Sequence, residues 1–162
     1  MQQREQTDPA PQEPSDPDVD LHLARPTRHL ATDAAVLAVI AVGGAIGATA
    51  RYLIGLAWPT PAGGFPWATL VINIAGSALI GVLMVLVTDV WARQRYLRPF
   101  LGTGILGGFT TFSTYTLDIQ RLIADRHPGT ALIYLASTAA AALIAVWATA
   151  SATRSLIHRR QR

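Results

Sequence analysis

The chain has 162 residues, of which 51% are hydrophobic and only 14% charged, and its thirteen basic side chains are all arginine, for a formal net charge of +3. With no cysteine, disulfides, thiolate-bound metals and thiol chemistry are excluded. The arginines flank apolar segments instead of forming one basic face, which argues against nucleic-acid binding.

Residues 1–33 are polar and rich in Pro, Gln and Asp; they cannot bury enough apolar surface to fold alone and read as a disordered cytoplasmic tail. A signal peptide is not expected, because the first apolar run starts late, follows an acidic stretch and is too long. From 34 to 155 the pattern is that of a transmembrane domain, followed by a basic tail over 156–162. Uncharged stretches cover 34–50, 67–88, 99–117 and 128–153. Three of them approach or exceed the ~20 residues that span a bilayer, and the first does so if it runs past Arg51 to Ala57. None has the polar face of a soluble bundle. The sequence thus predicts an all-α integral membrane protein with four transmembrane helices.

Helix 1, over about 32–58, carries Gly43, Gly47, Arg51 and Gly55 at four-residue spacing, a stripe that lets another helix approach closely. Arg51 lies just inside the span, so it either snorkels to the interface or has a fixed partner near a pore mouth. Helix 2, over about 66–89, has a small and polar stripe of Asn73, Gly76, Ser77 and Gly81. The Asn73 amide can bond another helix or offer its NH₂ to a passing anion.

Helix 3, over about 99–121, contains GTGILGGFTTFSTYT at 102–116, a poor sequence for a continuous helix. Its glycines lower helix stability and its threonines restrict χ1. In a membrane, a third helix broken at this Gly/Thr motif is tolerated only where protein covers it or where it lines a wet cavity. Half-helices meeting there aim N–H dipoles at anions and loose carbonyls at cations. Phe112 and Tyr115, three apart, project from nearly one face among Thr111, Ser113 and Thr114, and their ring edges are weak donors for an anion. Asp118 ends the segment, where it can cap, pair with arginine or reach the interface. Helix 4, over about 130–155, places Tyr134, Thr138 and Ala142 on one face; its hydroxyls either bond the helix's own carbonyls or form a polar track.

No span contains Glu, His or Lys, and no catalytic set, metal-ligand cluster or phosphate loop is present. An enzyme is not expected. A small four-helix multidrug exporter would need a membrane-embedded carboxylate in helix 1 or 2, and the only acids there, Asp33 and Asp89, stand at the helix ends. A non-transporting membrane scaffold leaves the Thr, Ser and aromatic residues after the break unexplained.

The segments GGFTTFSTYTLD at 107–118, AGSALIG at 75–81 after Asn73, and GAIGATARY at 44–52 resemble the CrcB, or Fluc, family of bacterial fluoride channels. The likeness spreads over all four helices in order. It implies passive export of fluoride by an antiparallel dimer with two pores. It also implies a structural Na⁺ at the subunit interface, held by backbone carbonyls that fall on Gly107 and Thr110. The family's pore phenylalanines fall on Phe112 and Tyr115, its pore asparagine on Asn73, and its polar track on Tyr134, Thr138 and Ala142. Arg51, Thr111, Ser113 and Asp118 support these positions. Two departures follow: Tyr115 adds a hydroxyl to the pore wall, and Ala142 shortens the track.

With four spans, both termini and the 91–99 loop share one side, which holds Arg25, Arg28, Arg93, Arg95, Arg98, Arg154, Arg159, Arg160 and Arg162. The other side has only Arg121 and Arg126. The positive-inside rule places both termini in the cytoplasm at the cell membrane. Such bias does not suit insertion both ways, so an oppositely oriented paralogue is the expected partner, or else a second copy.

Overall fold

The computed structural model describes residues 30–90 and 94–160; of the tail expected over 1–33, residues 1–29 lie outside the described residues, as do Arg93 and Arg162, while 30–33 already belong to the first helix. In chain order the elements are α1 (Leu30–Ala57), α2 (Trp67–Asp89), a π-helix (Pro99–Leu106), the single turn α3 (Gly107–Phe109), α4 (Ser113–Ala124) and α5 (Pro128–Arg160). No strand occurs among the described residues. Three helices, over Ala34–Ala57, Trp67–Asp89 and Pro128–Arg159, are long and apolar enough to cross a membrane. The remaining expected span, 99–121, is divided: winding stops at Phe109, Thr110 is extended (φ −74°, ψ 155°), and α4 begins at Ser113.

Pro99 opens the π-helix, where a missing N–H costs nothing. The wide winding suits a segment whose glycines must meet another backbone. Gly43 of α1 lies against Gly104, and a Cβ on Gly43 would stand only 2.6 Å from the Phe100 carbonyl oxygen. One turn on, a Cβ on Gly47 would collide with the Ile105 carbonyl, and Gly108 is pressed equally hard against Gly44. Small residues on both sides therefore set the distance at which these helices pack.

The contacts also reveal direction. Gly43 meets Phe100, Gly47 meets Ile105 and Phe109, and Arg51 meets Gly108, so α1 runs parallel to the interrupted segment. The α2 and α5 helices are parallel too: Thr149 Oγ1 donates to the Ala78 carbonyl at 2.9 Å, and Gly81 packs on Val146 and Ala150. Alternate passes of a serpentine chain must run this way. A small core of Leu70, Tyr115, Leu122, Ala131 and Tyr134 gathers where α2 and α5 begin beside α4, with Phe65 and Ile74 against it. Leu132, Ile133, Leu143, Ile144 and Trp147 of α5 are exposed, as lipid-facing residues are.

Winding does not stop at 156, where the basic C-terminal stretch begins. Helix α5 continues through Arg160, because Ala, Ser, Leu and Arg all tolerate helical winding. At ~1.5 Å per residue it reaches roughly 50 Å, longer than the hydrocarbon core, so its last turns stand outside.

Glycines 47 and 55 share one stripe of α1 and differ in surroundings, since a Cβ on Gly55 would meet nothing within 4 Å. Gly47→Ala is expected to destabilise the protein by about 1–3 kcal/mol through backbone displacement. Gly55→Ala should leave the thermal midpoint in detergent unchanged or slightly raised.

Candidate functional site

Interrupting a helix frees backbone groups, and neighbouring helices take up three of them, both groups of Thr111 and the Gly108 carbonyl. The Thr110 N–H and Oγ1 both donate to the Leu106 carbonyl, at 3.0 and 2.9 Å. Thr111 is clamped by Asn73: its N–H donates to Oδ1 at 2.9 Å, and its carbonyl accepts from Nδ2 at 2.9 Å. This cyclic pairing fixes which end of the amide is oxygen. Of the two roles open to Asn73, the interhelical bond is the one made, with one N–H of its NH₂ left over. Thr111 Oγ1 accepts from the Thr114 N–H at 3.1 Å, capping the first turn of α4, and touches Ser113 Oγ at 3.3 Å.

Arg51 has a fixed partner. Its Nε donates to the Gly108 carbonyl at 3.1 Å, placing a cation at the negative, C-terminal end of the half-helix. Among the described residues, no hydrogen bond ends on the carbonyl oxygen of Gly107 or Thr110.

Beside the interruption lies a cavity of about 320 Å³, lined by Asn73, Ser77, Ile80, Thr110, Thr111, Phe112, Tyr115, Thr138, Ala139 and Ala142. Among the described residues, no charged side chain reaches its wall. Thr138 is only 4% exposed, and its Oγ1 has no hydrogen-bond partner. An unpaired buried hydroxyl costs about 1–3 kcal/mol, and the residue that carries it is part of this wall.

The two rings after the interruption part company. Phe112 stands outside α4 at its cap and is 75% exposed, while Tyr115 turns inward and is 9% exposed, the centroids 5.8 Å apart. The hydroxyl of Tyr115 is not a free donor on the wall: it donates to the Leu135 carbonyl at 2.8 Å. The polar track also needs correction. Thr138 and Ala142 line the cavity, but Tyr134 is completely buried and absent from the lining. Its ring packs between Tyr115 (5.3 Å) and Phe65 (5.4 Å, edge-on), and its hydroxyl donates to Asp118 Oδ2 at 3.3 Å. A buried phenol needs a polar partner, and the carboxylate supplies it.

Asp118 therefore does more than end the segment. The same Oδ2 accepts from Thr69 Oγ1 at 2.9 Å, while Oδ1 faces Arg121 at 4.0 Å. Thr69 is a residue that reading the sequence missed, although it lies four before Asn73 on α2, where side chains share a face. Asp118, Arg121 and Asp125 border a smaller cavity of about 110 Å³ under the 60–66 loop.

Chemically, the large cavity offers hydroxyls, one amide N–H and ring edges, and no full charge. Such a wall can replace part of a small anion's hydration without trapping it.

Comparison with known proteins assigns the family. The family model described as "CrcB-like protein, Camphor Resistance (CrcB)" matches residues 38–150. The chain belongs to the CrcB-like family. It is 62% identical over 105 residues to Fluoride-specific ion channel FluC 2 of Streptomyces avermitilis, covering 65% of this chain and 66% of that one. It is 56% identical over 130 residues to Fluoride-specific ion channel FluC 1 of Streptomyces coelicolor, covering 80% and 84%. Streptomyces avermitilis has a further relative, Fluoride-specific ion channel FluC 3, 48% identical over 92 residues and covering 57% and 45%. The elements from α1 to α5 all fall within or across the matched region.

Asn73→Ala would strand both backbone groups of Thr111 inside the protein. The loss expected is ~2 kcal/mol or more in unfolding free energy, measured by equilibrium denaturation in mixed micelles.

Proposed function

We propose that this CrcB-like chain is a membrane channel subunit through which fluoride leaves the cytoplasm passively; it is not an enzyme. The carrying observation is the uncharged cavity beside the helix interruption, lined by Asn73, Thr111, Phe112, Tyr115 and Thr138. Fluoride is small and strongly hydrated, so a pore for it needs several weak donors in sequence. Thr138, the remaining N–H of Asn73 and the ring edges of Phe112 and Tyr115 are such donors. The names of the relatives supply the choice of fluoride among small anions.

Conduction requires a second, antiparallel subunit. Phe112 and Gly107 are exposed beside the interruption, and in lipid such backbone needs a protein cover. The third helix is then a span broken at 110–112 and sealed at the dimer interface. The carbonyls of Gly107 and Thr110 suit a structural Na⁺ there: they are hard oxygen donors left without a hydrogen-bond partner. When bound, the ion would neutralise these oxygens and join the subunits. Arg51 occupies the neighbouring Gly108 carbonyl and so keeps it out of that set.

The arginine bias places both termini in the cytoplasm. An oppositely biased paralogue is the partner this favours, and the existence of two FluC proteins in Streptomyces avermitilis supports it.

In liposomes holding the chain with its paralogue, fluoride efflux is expected, and chloride efflux is not. Efflux from the chain alone, or a C-terminal tag on both membrane faces, would overturn the heterodimer. Thr138→Val should slow fluoride efflux by about tenfold, ~1.4 kcal/mol, with Thr138→Ser restoring it. Equal rates in all three would remove Thr138 from the pathway.

A further inference from the structure

A second large cavity lies between α2 and the π-helix, reaching Leu106 at the end of the latter. It is an apolar groove of about 290 Å³, walled by Leu79, Leu83 and Leu86 of α2 and by Leu101 and Ile105 of the π-helix. Gly102 lies next to this wall, where a Cβ would make ordinary contact with Leu83 Cδ2 at 3.5 Å. Every lining residue is aliphatic. Such a groove excludes water, and left empty it forfeits dispersion contacts along its whole length.

The turn that leads into the π-helix has a different chemistry. Arg98 caps the π-helix within one turn of Leu101, and Arg95 lies over the Tyr96 ring, 5.5 Å from its centroid. Arg95, Tyr96 and Arg98 are all exposed. Among the described residues neither arginine forms a salt bridge, and the nearest acid in sequence is Asp89 at the end of α2. An apolar slot, with two guanidinium groups and an exposed tyrosine in the turn that leads into its π-helix wall, matches one kind of molecule.

We propose that this groove binds an anionic phospholipid, one acyl chain lying between α2 and the π-helix and the headgroup phosphate meeting Arg95 and Arg98. The planar guanidinium fork suits phosphate oxygens, and Tyr96 sits at headgroup level as interfacial aromatics do. On the orientation proposed above, that turn faces the cytoplasmic leaflet, which is the anionic one. The bound chain would press on the π-helix directly behind the glycines that meet α1, bracing the segment that carries the interruption.

The test is native mass spectrometry of the purified full chain with phosphatidylglycerol or phosphatidylcholine of matched acyl chains. Retention of phosphatidylglycerol about tenfold above phosphatidylcholine is expected. The double variant Arg95→Gln/Arg98→Gln should bring phosphatidylglycerol down to the phosphatidylcholine level, and Leu83→Trp, by filling the groove, should release both. The arginine variant lies on an exposed turn and carries the test if Leu83→Trp does not fold. Equal retention of the two lipids, or no change in the arginine variant, would overturn the proposal. So would disulfide-linked dimers of Leu83→Cys in membranes, where this would be the chain's single thiol, because the groove would then be a subunit interface. None of these readouts depends on fluoride conduction.

Discussion

The structure depends on satisfying backbone groups where helical winding stops between Phe109 and Ser113. Water is not available there to a membrane protein, and each orphaned donor or acceptor costs free energy of the order of the protein's whole stability margin. The chain meets this need with side chains from two other helices. Asn73 of α2 takes both groups of Thr111, and Arg51 of α1 takes the carbonyl of Gly108. These residues hold the interruption from either side, which is why they lie at matched depth on helices distant in sequence.

Close packing makes those bonds reachable. Arg51 Nε meets Gly108 only because α1 approaches at backbone contact, with glycines 43 and 47 against Gly104 and Ile105. Gly76 does the same for α2, lying against the Thr110 side chain one turn from Asn73. The small-residue stripes and the polar side chains on them are therefore one device: the first sets the distance, and the second uses it.

The site separates two kinds of polar group. Around the large cavity stand neutral donors, among them Thr138 with an unpaired hydroxyl. The carboxylate of Asp118 lies behind this wall, engaged by Thr69 and Tyr134 and bordering the smaller cavity under the 60–66 loop. Tyr115 and Tyr134 pack between the two regions with their hydroxyls spent elsewhere. Full charge is kept off the wall where an anion would otherwise be repelled by a carboxylate or held by a guanidinium.

By itself the sequence determined the features that depend on local composition. Long uncharged runs marked helices able to cross a membrane, the 43–47–51 spacing marked a close-packing stripe with Arg51 on it, and the 107–118 motif pointed to the family. Hydrophobicity, helical period and short motifs are written along the chain, so they could be read there. Tertiary structure alone decided where the polar tips point. Tyr115 bonds a carbonyl twenty residues away, Tyr134 a carboxylate sixteen away, and Asn73 a backbone thirty-eight away. Helical spacing puts Tyr134 on a face with Thr138, but it cannot say that Asp118 waits beside that tyrosine and draws its hydroxyl off the cavity. Direction of a side chain depends on which partner packing brings within about 3 Å, and that is a property of the assembled helices.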